Sequence, residues 1–174
     1  MFVKKYDMEL YCLQRDHLVS YLDKAPSNIE LIDINDENLE ANKSYYPSKY
    51  RSWKRSLKKG EKGVFAVCDG KAIGYGWLKK KGTKDPFYRF GKSVAYLAGF
   101  YVSSDFRGQN IYPALISQLI LSSPEYDKFY ISIYTSNVAS RNGLLKVGFE
   151  LIRSLTFIRI RALKVTLNKY KITL

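Results

Sequence analysis

The spacing of apolar and polar residues in the first third of the chain predicts a strand followed by a helix. Residues 28–34 alternate between the two kinds of position, as a half-buried strand does. Across residues 44–59 the apolar and aromatic residues recur every three or four positions, with lysines and arginines between them. This spacing predicts a basic amphipathic helix, and Gly60 is a suitable residue to end it.

The middle of the chain predicts a hairpin and then a long strand. Two runs rich in β-forming residues, 64–68 and 72–78, flank an Asp-Gly pair, which is the residue pair of a tight hairpin turn. A basic loop at residues 79–90 precedes a long apolar run at residues 93–102, which predicts another strand. Gly99 in this run favours a β-bulge or a close approach by another backbone.

The pattern after the long strand predicts two helices separated by a buried strand. The first helix begins at Asn110, and residues 129–134 form the strand. Ser136 or Asn137 caps the second helix, and the residues from 149 onward form one or two basic strands at a sheet edge. This order of elements predicts an α/β fold: a mixed β-sheet flanked by helices, with a parallel crossover between its central strands.

The composition fits one globular domain spanning residues 1–174. The hydrophobic content of 46% is enough for a continuous core. We expect a cytoplasmic protein, because the first residues lack the pattern of a signal peptide and no apolar run reaches the roughly 20 residues of a membrane span. Cys12 and Cys68 lack metal-ligand spacing, so we expect two buried free thiols and no metal site.

The charge of the chain is strongly positive and unevenly distributed. The formal net charge is +13, yet residues 1–40 hold nine acids against four bases and form an acidic N-terminal segment. A cationic surface concentrates anionic partners of any kind, including nucleotides, coenzymes and RNA. Solvated surface lysines explain the same charge, so charge alone identifies no partner.

A basic, glycine-containing segment stands where the long strand gives way to the next helix. The six residues at this joint are Arg107, Gly108, Gln109, Asn110, Ile111 and Tyr112. Backbone N–H groups at residues 108–112 would converge at the positive end of the helix, an arrangement that binds phosphate. A surface arginine beside a turn glycine explains the same residues, so this segment alone leaves both interpretations open.

Two motifs together resemble the GCN5-related N-acetyltransferase superfamily. The run 107–112 is similar to the family's phosphate-binding signature, Arg/Gln-x-x-Gly-x-Gly/Ala, which follows a splayed central strand. The run from Asn137 and Ser140 to residues 146–149 resembles the family's Asn-x-x-Ala/Ser…Lys-x-Gly-Phe helix. The resemblance is best over residues 60–152, and it implies a central mixed sheet with splayed parallel strands.

The resemblance implies direct transfer of an acetyl group from acetyl-coenzyme A to an amine, with no metal and no covalent enzyme intermediate. It assigns the pyrophosphate to Arg107 and the backbone N–H groups through Tyr112, and the pantetheine side to Asn137 and Ser140. Asn110 and Tyr112 replace two signature glycines, so the phosphate cradle is bulkier than in the family.

The catalytic groups are less clearly marked than the cofactor site. A backbone N–H near Tyr101 or Val102 would polarise the thioester carbonyl. Leu144 stands where many family members have the tyrosine that protonates the leaving thiolate, and the central strand lacks the carboxylate that often serves as base. Tyr101 and Tyr134 are the candidate proton donors, although packing alone explains both.

The acceptor is expected to be a small-molecule amine, for instance an anionic amino sugar or a nucleotide-linked sugar. Five aromatic residues near the expected acceptor mouth form either a binding wall or part of the core: Tyr45, Tyr46, Tyr50, Trp53 and Trp77. Two other functions are considered, a catalytically inactive coenzyme A-binding protein and an RNA- or ribosome-associated module. The absence of RNA-binding motifs disfavours nucleic acid, and the oligomeric state, including a homodimer, stays open.

Overall fold

The computed structural model describes residues 3–79, 93–160 and 165–171, in which a mixed β-sheet is flanked by helices. The strands are β1 (Val3–Gln14), β2 (Glu30–Asp33), β3 (Lys62–Cys68), β4 (Lys71–Lys79), β5 (Val94–Val102), β6 (Lys128–Tyr134), β7 (Glu150–Ile160) and β8 (Val165–Lys171). The helices are α1 (Asp36–Ala41), α2 (Pro47–Lys58), α3 (Ile111–Leu121) and α4 (Val138–Lys146). Hydrogen-bonded neighbours in the sheet follow the order β2, β3, β4, β5, β6, β1, β7, β8. The predicted α/β class is confirmed.

The hairpin and the bulge predicted from the sequence are both present. Asp69 and Gly70 have φ angles of 49° and 72°, which suit a tight turn between β3 and β4. β4 then pairs antiparallel with β5, and the register shifts between Tyr75 and Trp77. Gly99, on the opposing stretch of β5, has a φ of 66°, which favours glycine at this bulge.

The two parallel strands β5 and β6 pair over a short stretch and then separate. Their register pairs run from Val94 with Lys128 to Tyr96 with Tyr130. β5 then continues beside β4 as far as Val102, while β6 pairs with β1 on its other edge. The separation opens a wedge at the carboxyl ends of the parallel strands, where such sheets commonly bind ligands.

The acidic N-terminal segment of residues 1–40 contains a strand, β1, that was not predicted from the sequence. β1 lies inside the sheet, antiparallel to both β6 and β7, and its residues Leu10 and Leu13 are buried. Asp7 and Glu9 obscured the strand pattern in the sequence. Besides the nearby Lys5 and Tyr11, their side-chain partners lie 149 and 132 residues further along the chain, and no local signal identifies these distant partners.

The helices cover opposite faces of the sheet. α3 packs against β3, β4 and β5, and α2 packs beside β3. Trp53 on α2 and Trp77 on β4 are buried, which confirms the core interpretation for these two aromatic residues. Tyr45 is exposed, whereas Tyr46 and Tyr50 are partly buried. No helix in the described part of the chain has the length and apolarity needed to cross a membrane.

Several predicted details are sharpened by the structure. Asn137 caps α4 rather than Ser136, and the C-terminal region contains two strands. α2 begins at Pro47, later than residue 44, because Tyr46 has a non-helical backbone. Both cysteines are free, but Cys12, near the end of β1, is half-buried rather than buried. The basic loop predicted at residues 79–90 lies outside the described residues, except for Lys79.

Candidate functional site

A cleft of about 560 Å³ opens beside the end of β5, between the N-terminal end of α3 and helix α4. Its lining residues come from the end of β5, the β5–α3 connection, the first turn of α3, and α4 with its cap. They are Phe100, Tyr101, Val102, Phe106, Arg107, Gly108, Asn110, Ile111, Tyr112, Pro113, Asn137, Ala139, Ser140, Asn142, Gly143 and Lys146. The structure therefore brings the two sequence motifs together, although 30 residues separate Arg107 from Asn137.

The entrance to α3 presents unpaired backbone donors. Gly108 and Asn110 have φ angles of 80° and 59°, and these left-handed conformations turn the chain sharply into the helix. In the described part of the chain, the N–H groups of residues 108–112 donate no hydrogen bond. Free N–H groups at the positive end of a helix attract an anion, so the backbone at this entrance is suited to an anion although Asn110 replaces a glycine.

Side chains add positive charge to the same entrance. The Nε atom of Arg107 donates to the carbonyl oxygen of Val102 at 3.1 Å. The Nζ atom of Lys146 donates to the side-chain oxygen of Asn110 at 2.9 Å. The sequence analysis quoted Lys146 as part of a motif but did not name it as a site residue. Among the described residues, the lining contains these two cations and no carboxylate.

The second wall of the cleft depends on the cap of α4. The side-chain oxygen of Asn137 accepts the N–H of Ser140 at 3.1 Å, which satisfies one free donor of the helix. This bond uses the amide oxygen of Asn137 and leaves its NH2 group for a ligand. Among the described residues, no three His, Cys, Asp or Glu side chains gather as metal ligands.

Tyr112 fills the space between α3 and α4 that a glycine would leave open. Its ring lies edge-on to Phe100, with the ring centroids 5.3 Å apart. On α4, a Cβ atom added to Gly143 would come within 2.4 Å of the Tyr112 ring, so Gly143 makes room for it. Burial raises the pKa of Tyr112, and a hydrogen bond with Ser140 opposes that shift. Tyr112 therefore narrows the cleft as a neutral phenol.

The backbone of β5 directs one N–H group into the wedge. Ser103 donates its N–H to the carbonyl of Ile73 on β4, at 2.8 Å. Since successive N–H groups along a strand point to opposite edges, the N–H and C=O of Val102 face the wedge. The contact from Arg107 to the Val102 carbonyl agrees with this direction. Of Tyr101 and Val102, the latter has the N–H that faces the wedge.

Three predicted site residues differ in their relation to the cleft. Tyr101 lines it and is 39% exposed. Gln109 is not part of the lining, and its side chain donates to the carbonyl of Asp105 at 3.3 Å. Tyr134 is also outside the lining, 50% exposed, with its ring near that of Tyr6. Its proposed role as a proton donor stays a prediction without a contact that favours it.

A partly buried ion pair connects the corner that carries Asn137 to β1. The guanidinium of Arg141 makes two hydrogen bonds of 2.9 Å to the carboxylate of Glu9 on β1. Arg141 also donates to the carbonyl of Thr135, and the N–H of Thr135 donates to the Asp7 carbonyl at 3.0 Å. The sequence analysis missed this ion pair because no local pattern links β1 to α4.

Comparison with known families decides the assignment of this fold and cleft. The model of the acetyltransferase (GNAT) family matches residues 28–149, which is more than half of the chain. The chain belongs to the GNAT acetyltransferase family. A search of curated proteins found no significant match. The matched range includes β5, both cleft helices and the two motifs, so the assignment to an acyltransferase family is confirmed.

Solved structures with the GNAT fold resemble this chain closely in shape and distantly in sequence. A GNAT-family acetyltransferase from Colwellia psychrerythraea has a TM-score of 0.65 and 16% identity, covering 91% of this chain and 56% of that one. A GCN5-related N-acetyltransferase from Kribbella flavida has a TM-score of 0.57 and 10% identity, covering 90% and 58%. AAC(6')-Iy, solved with the bisubstrate analog CoA-S-monomethyl-acetylneamine, has a TM-score of 0.57 and 19% identity, covering 71% and 92%. This chain thus spans little more than half of the first two structures, and the likeness establishes the fold.

Proposed function

We propose that the protein is a cytoplasmic N-acetyltransferase that transfers the acetyl group of acetyl-coenzyme A directly to the amine of a small molecule. One observation carries the proposal. The cleft joins a row of unpaired N–H groups at the entrance of α3 to the capped end of α4, beside the gap between the parallel strands. This arrangement suits a long ligand with a pyrophosphate at one end and a thioester within the sheet.

Each part of the cleft has a proposed role in holding acetyl-coenzyme A. Arg107 and the N–H groups of residues 108–112 bind the pyrophosphate, with Lys146 as a further cation near Asn110. Asn137 and Ser140 face the pantetheine. The N–H of Val102 donates to the thioester carbonyl and stabilises the oxyanion that forms as the amine attacks.

Proximity supplies much of the proposed rate acceleration, because no carboxylate base is present among the described residues of the lining. An amine that arrives neutral attacks the thioester carbon, the C–S bond breaks, and the sulfur takes up a proton. Tyr101 is the exposed phenol in the lining from which that proton can come, directly or through water.

The acceptor proposed for this site is an anionic amine, such as an acidic amino sugar or a nucleotide-linked amino sugar. The cleft carries cations without carboxylates. Helix α2, whose exposed basic residues include Arg51, Lys54, Arg55 and Lys58, contains no acidic residue. This charge favours an acceptor of opposite sign and disfavours a polycationic one.

A coenzyme A-binding protein without turnover is the second candidate. The described residues of the cleft include no carboxylate, and Leu144 is buried in the core where a proton-donating tyrosine is common in the family. Such a protein would bind acetyl-coenzyme A as tightly as an enzyme and acetylate no amine.

Calorimetric titration with acetyl-coenzyme A tests the proposal. We expect saturable binding by the wild type and at least about tenfold weaker binding by the Arg107→Ala/Asn137→Ala variant, since it loses a charged and a polar contact. Arg51→Ala on α2 is the matched control for lost charge and leaves the affinity unchanged. Circular dichroism verifies that each variant is folded. No binding by a folded wild type at millimolar ligand contradicts both candidates, whereas binding without turnover over a broad panel of amines selects the second.

A further inference from the structure

Two tyrosines form a pair on the face of the sheet that carries α2. Tyr75 on β4 and Tyr101 on β5 are direct register partners. Their rings are stacked, with centroids 5.6 Å apart and an angle of 26° between the planes. Residues directly opposite each other in a sheet project from the same face, so both hydroxyls lie on the same side of the sheet.

The bulge at Gly99 creates this pair. Trp77 on β4 is opposite Ala98 on β5. Two residues earlier on β4, Tyr75 is opposite Tyr101, because β5 has one extra residue in this interval. Phe100 consequently faces the other side of the sheet, where it packs against Tyr112. The bulge therefore places the Phe100 ring and the Tyr101 phenol on opposite faces of the sheet.

The two hydroxyls have no hydrogen-bond partner among the described residues. Tyr75 is only 8% exposed as a residue, yet its hydroxyl keeps contact with solvent, because it is not among the described buried side-chain atoms that lack a partner. Polar groups inside a packed cluster are normally hydrogen-bonded. The neighbouring Tyr46 illustrates the usual case: its ring packs edge-on against both tyrosines, and its hydroxyl donates to the carbonyl of Ala72 at 3.0 Å. The unpaired hydroxyls of Tyr75 and Tyr101 thus form a polar spot within an aromatic cluster, in which Tyr101 lines the cleft and Tyr75 stacks on it.

The surroundings of this pair favour hydrogen-bond donation to an anion. Burial raises the pKa of Tyr75, and the nearby Tyr101 raises it further, so the Tyr75 phenol keeps its proton near neutral pH. Helix α2 begins at Pro47, directly after Tyr46, so its positively polarised end lies one residue from the cluster. Among the described residues that line the cleft next to the pair, none has a carboxylate that would repel an anion.

We propose that the hydroxyls of Tyr75 and Tyr101 bind an oxyanion, a phosphate or a carboxylate, of the acceptor and thereby orient its amine toward the thioester. This inference rests on the proposed function and deepens it, because it assigns residues to acceptor binding. Two parallel O–H donors suit the paired oxygens of such a group. Tyr75 becomes a specificity-determining residue that has no place in either sequence motif.

The test measures binding of acceptor probes to the protein saturated with coenzyme A, so that it does not depend on turnover. Glucosamine 6-phosphate is compared with glucosamine, and glycine with glycinamide, by calorimetry. We expect one of the two charged probes to bind about tenfold more tightly than its uncharged partner, as a hydrogen bond to a charged group allows. The pair of probes that shows the preference identifies phosphate or carboxylate as the recognised group.

Variants that remove single hydroxyls locate the preference. In Tyr75→Phe the preference for the charged probe falls about tenfold or disappears, while the affinity for acetyl-coenzyme A stays at the wild-type value. In Tyr101→Phe the preference for the charged probe falls as well. Tyr126→Phe is the control, because Tyr126 is as buried as Tyr75 but belongs to the other core cluster, with its ring beside Phe129. Equal binding of charged and uncharged probes, no binding of either, or a preference that survives both substitutions overturns the inference. A failure of the proposed function is distinguishable, because acetyl-coenzyme A itself then does not bind.

Discussion

The two walls of the cleft are held in place by different forces. In α3, eight of the 11 residues are buried, so this wall is fixed by apolar packing. In α4, only Gly143 and Leu144 of the nine residues are buried. That wall is fixed by the Asn137 cap, by the ion pair of Arg141 with Glu9, and by contacts of β1 with the preceding turn.

Because of this difference, we expect α3 to determine mainly the stability of the fold and α4 to determine mainly the geometry of the cleft. Burial of apolar surface stabilises the whole fold and depends little on salt, whereas ion pairs and caps act locally and weaken as salt screens them. Substitutions in the core of α3 should therefore lower the free energy of unfolding without changing the site in molecules that stay folded. Substitutions around α4 should move the α4 wall of the cleft, which we propose to contact pantetheine, at a smaller cost in stability.

The largest expected effect is that of Leu115→Ala in α3. Leu115 is completely buried, and removing its side chain leaves a cavity in the core. We expect the free energy of unfolding to fall by about 3 kcal/mol, while folded protein retains its affinity for acetyl-coenzyme A. Urea unfolding and calorimetry measure the two quantities. Leu121→Ala, at an exposed position of the same helix, is the control and should cost less than about 0.5 kcal/mol.

The ion pair that holds α4 should give an intermediate effect on stability and a clear effect on the cofactor. Glu9 and Arg141 are 13% and 27% exposed, and Glu9→Gln leaves the guanidinium without its counter-charge. We expect a loss of about 2 kcal/mol, well below the value for a fully buried pair, and weaker binding of acetyl-coenzyme A.

Salt and a surface pair provide the controls for this substitution. The difference between wild type and Glu9→Gln should shrink in high salt, because screening weakens the pair in the wild type. Lys43→Gln breaks the exposed pair of Lys43 with Glu40 and should change stability by less than about 1 kcal/mol. If Glu9→Gln lowers stability but leaves the acetyl-coenzyme A affinity unchanged, the ion pair does not position the site.

Two substitutions of Asn137 separate its capping role from its proposed contact with pantetheine. Asn137→Ala removes the cap and should cost about 1 kcal/mol in unfolding free energy. Asn137→Ser restores a capping oxygen but supplies no amide NH2 group. We expect the serine variant to recover stability while its affinity for acetyl-coenzyme A remains reduced. Recovery of both by serine would show that Asn137 acts only through the helix.

The motif-bearing half of the molecule was predictable because its signals are local. The bulge at Gly99 and the turn at Gly108 follow from the conformations that glycine favours. The cap at Asn137 follows from an oxygen within reach of an N–H three residues later. Such features depend on a few consecutive residues, so one sequence is enough to place them.

The features that were missed depend on pairing across the whole chain. β1 joins β6 and β7 through partners at least 114 residues away, as in the pair Gln14 with Lys128. The ion pair of Glu9 with Arg141 and the stacking of Tyr75 on Tyr101 exist only after these registers are formed. For Gly143 a signal was available, since it lies three residues after Ser140 and therefore on the same face of α4.

The smallest expected effect is on the melting temperature at acidic pH, where Asp7 on β1 takes up a proton. A hydrogen bond from Thr156 and, to a smaller extent, one from Lys5 lower the pKa of the Asp7 side chain. The backbone carbonyl of the same residue accepts the N–H of Thr135, which precedes α4. A carboxylate with a lowered folded-state pKa contributes stability that is fully present above its unfolded pKa of about 4 and is lost as the pH falls through the folded value. Thr156→Val should therefore flatten the decline of melting temperature between about pH 5 and pH 2. Asp7→Asn should flatten it at least as much, and the double variant should behave like Asp7→Asn alone. If the melting temperature of Thr156→Val declines with pH in parallel with that of the wild type, this hydrogen bond does not contribute to the pH dependence of stability.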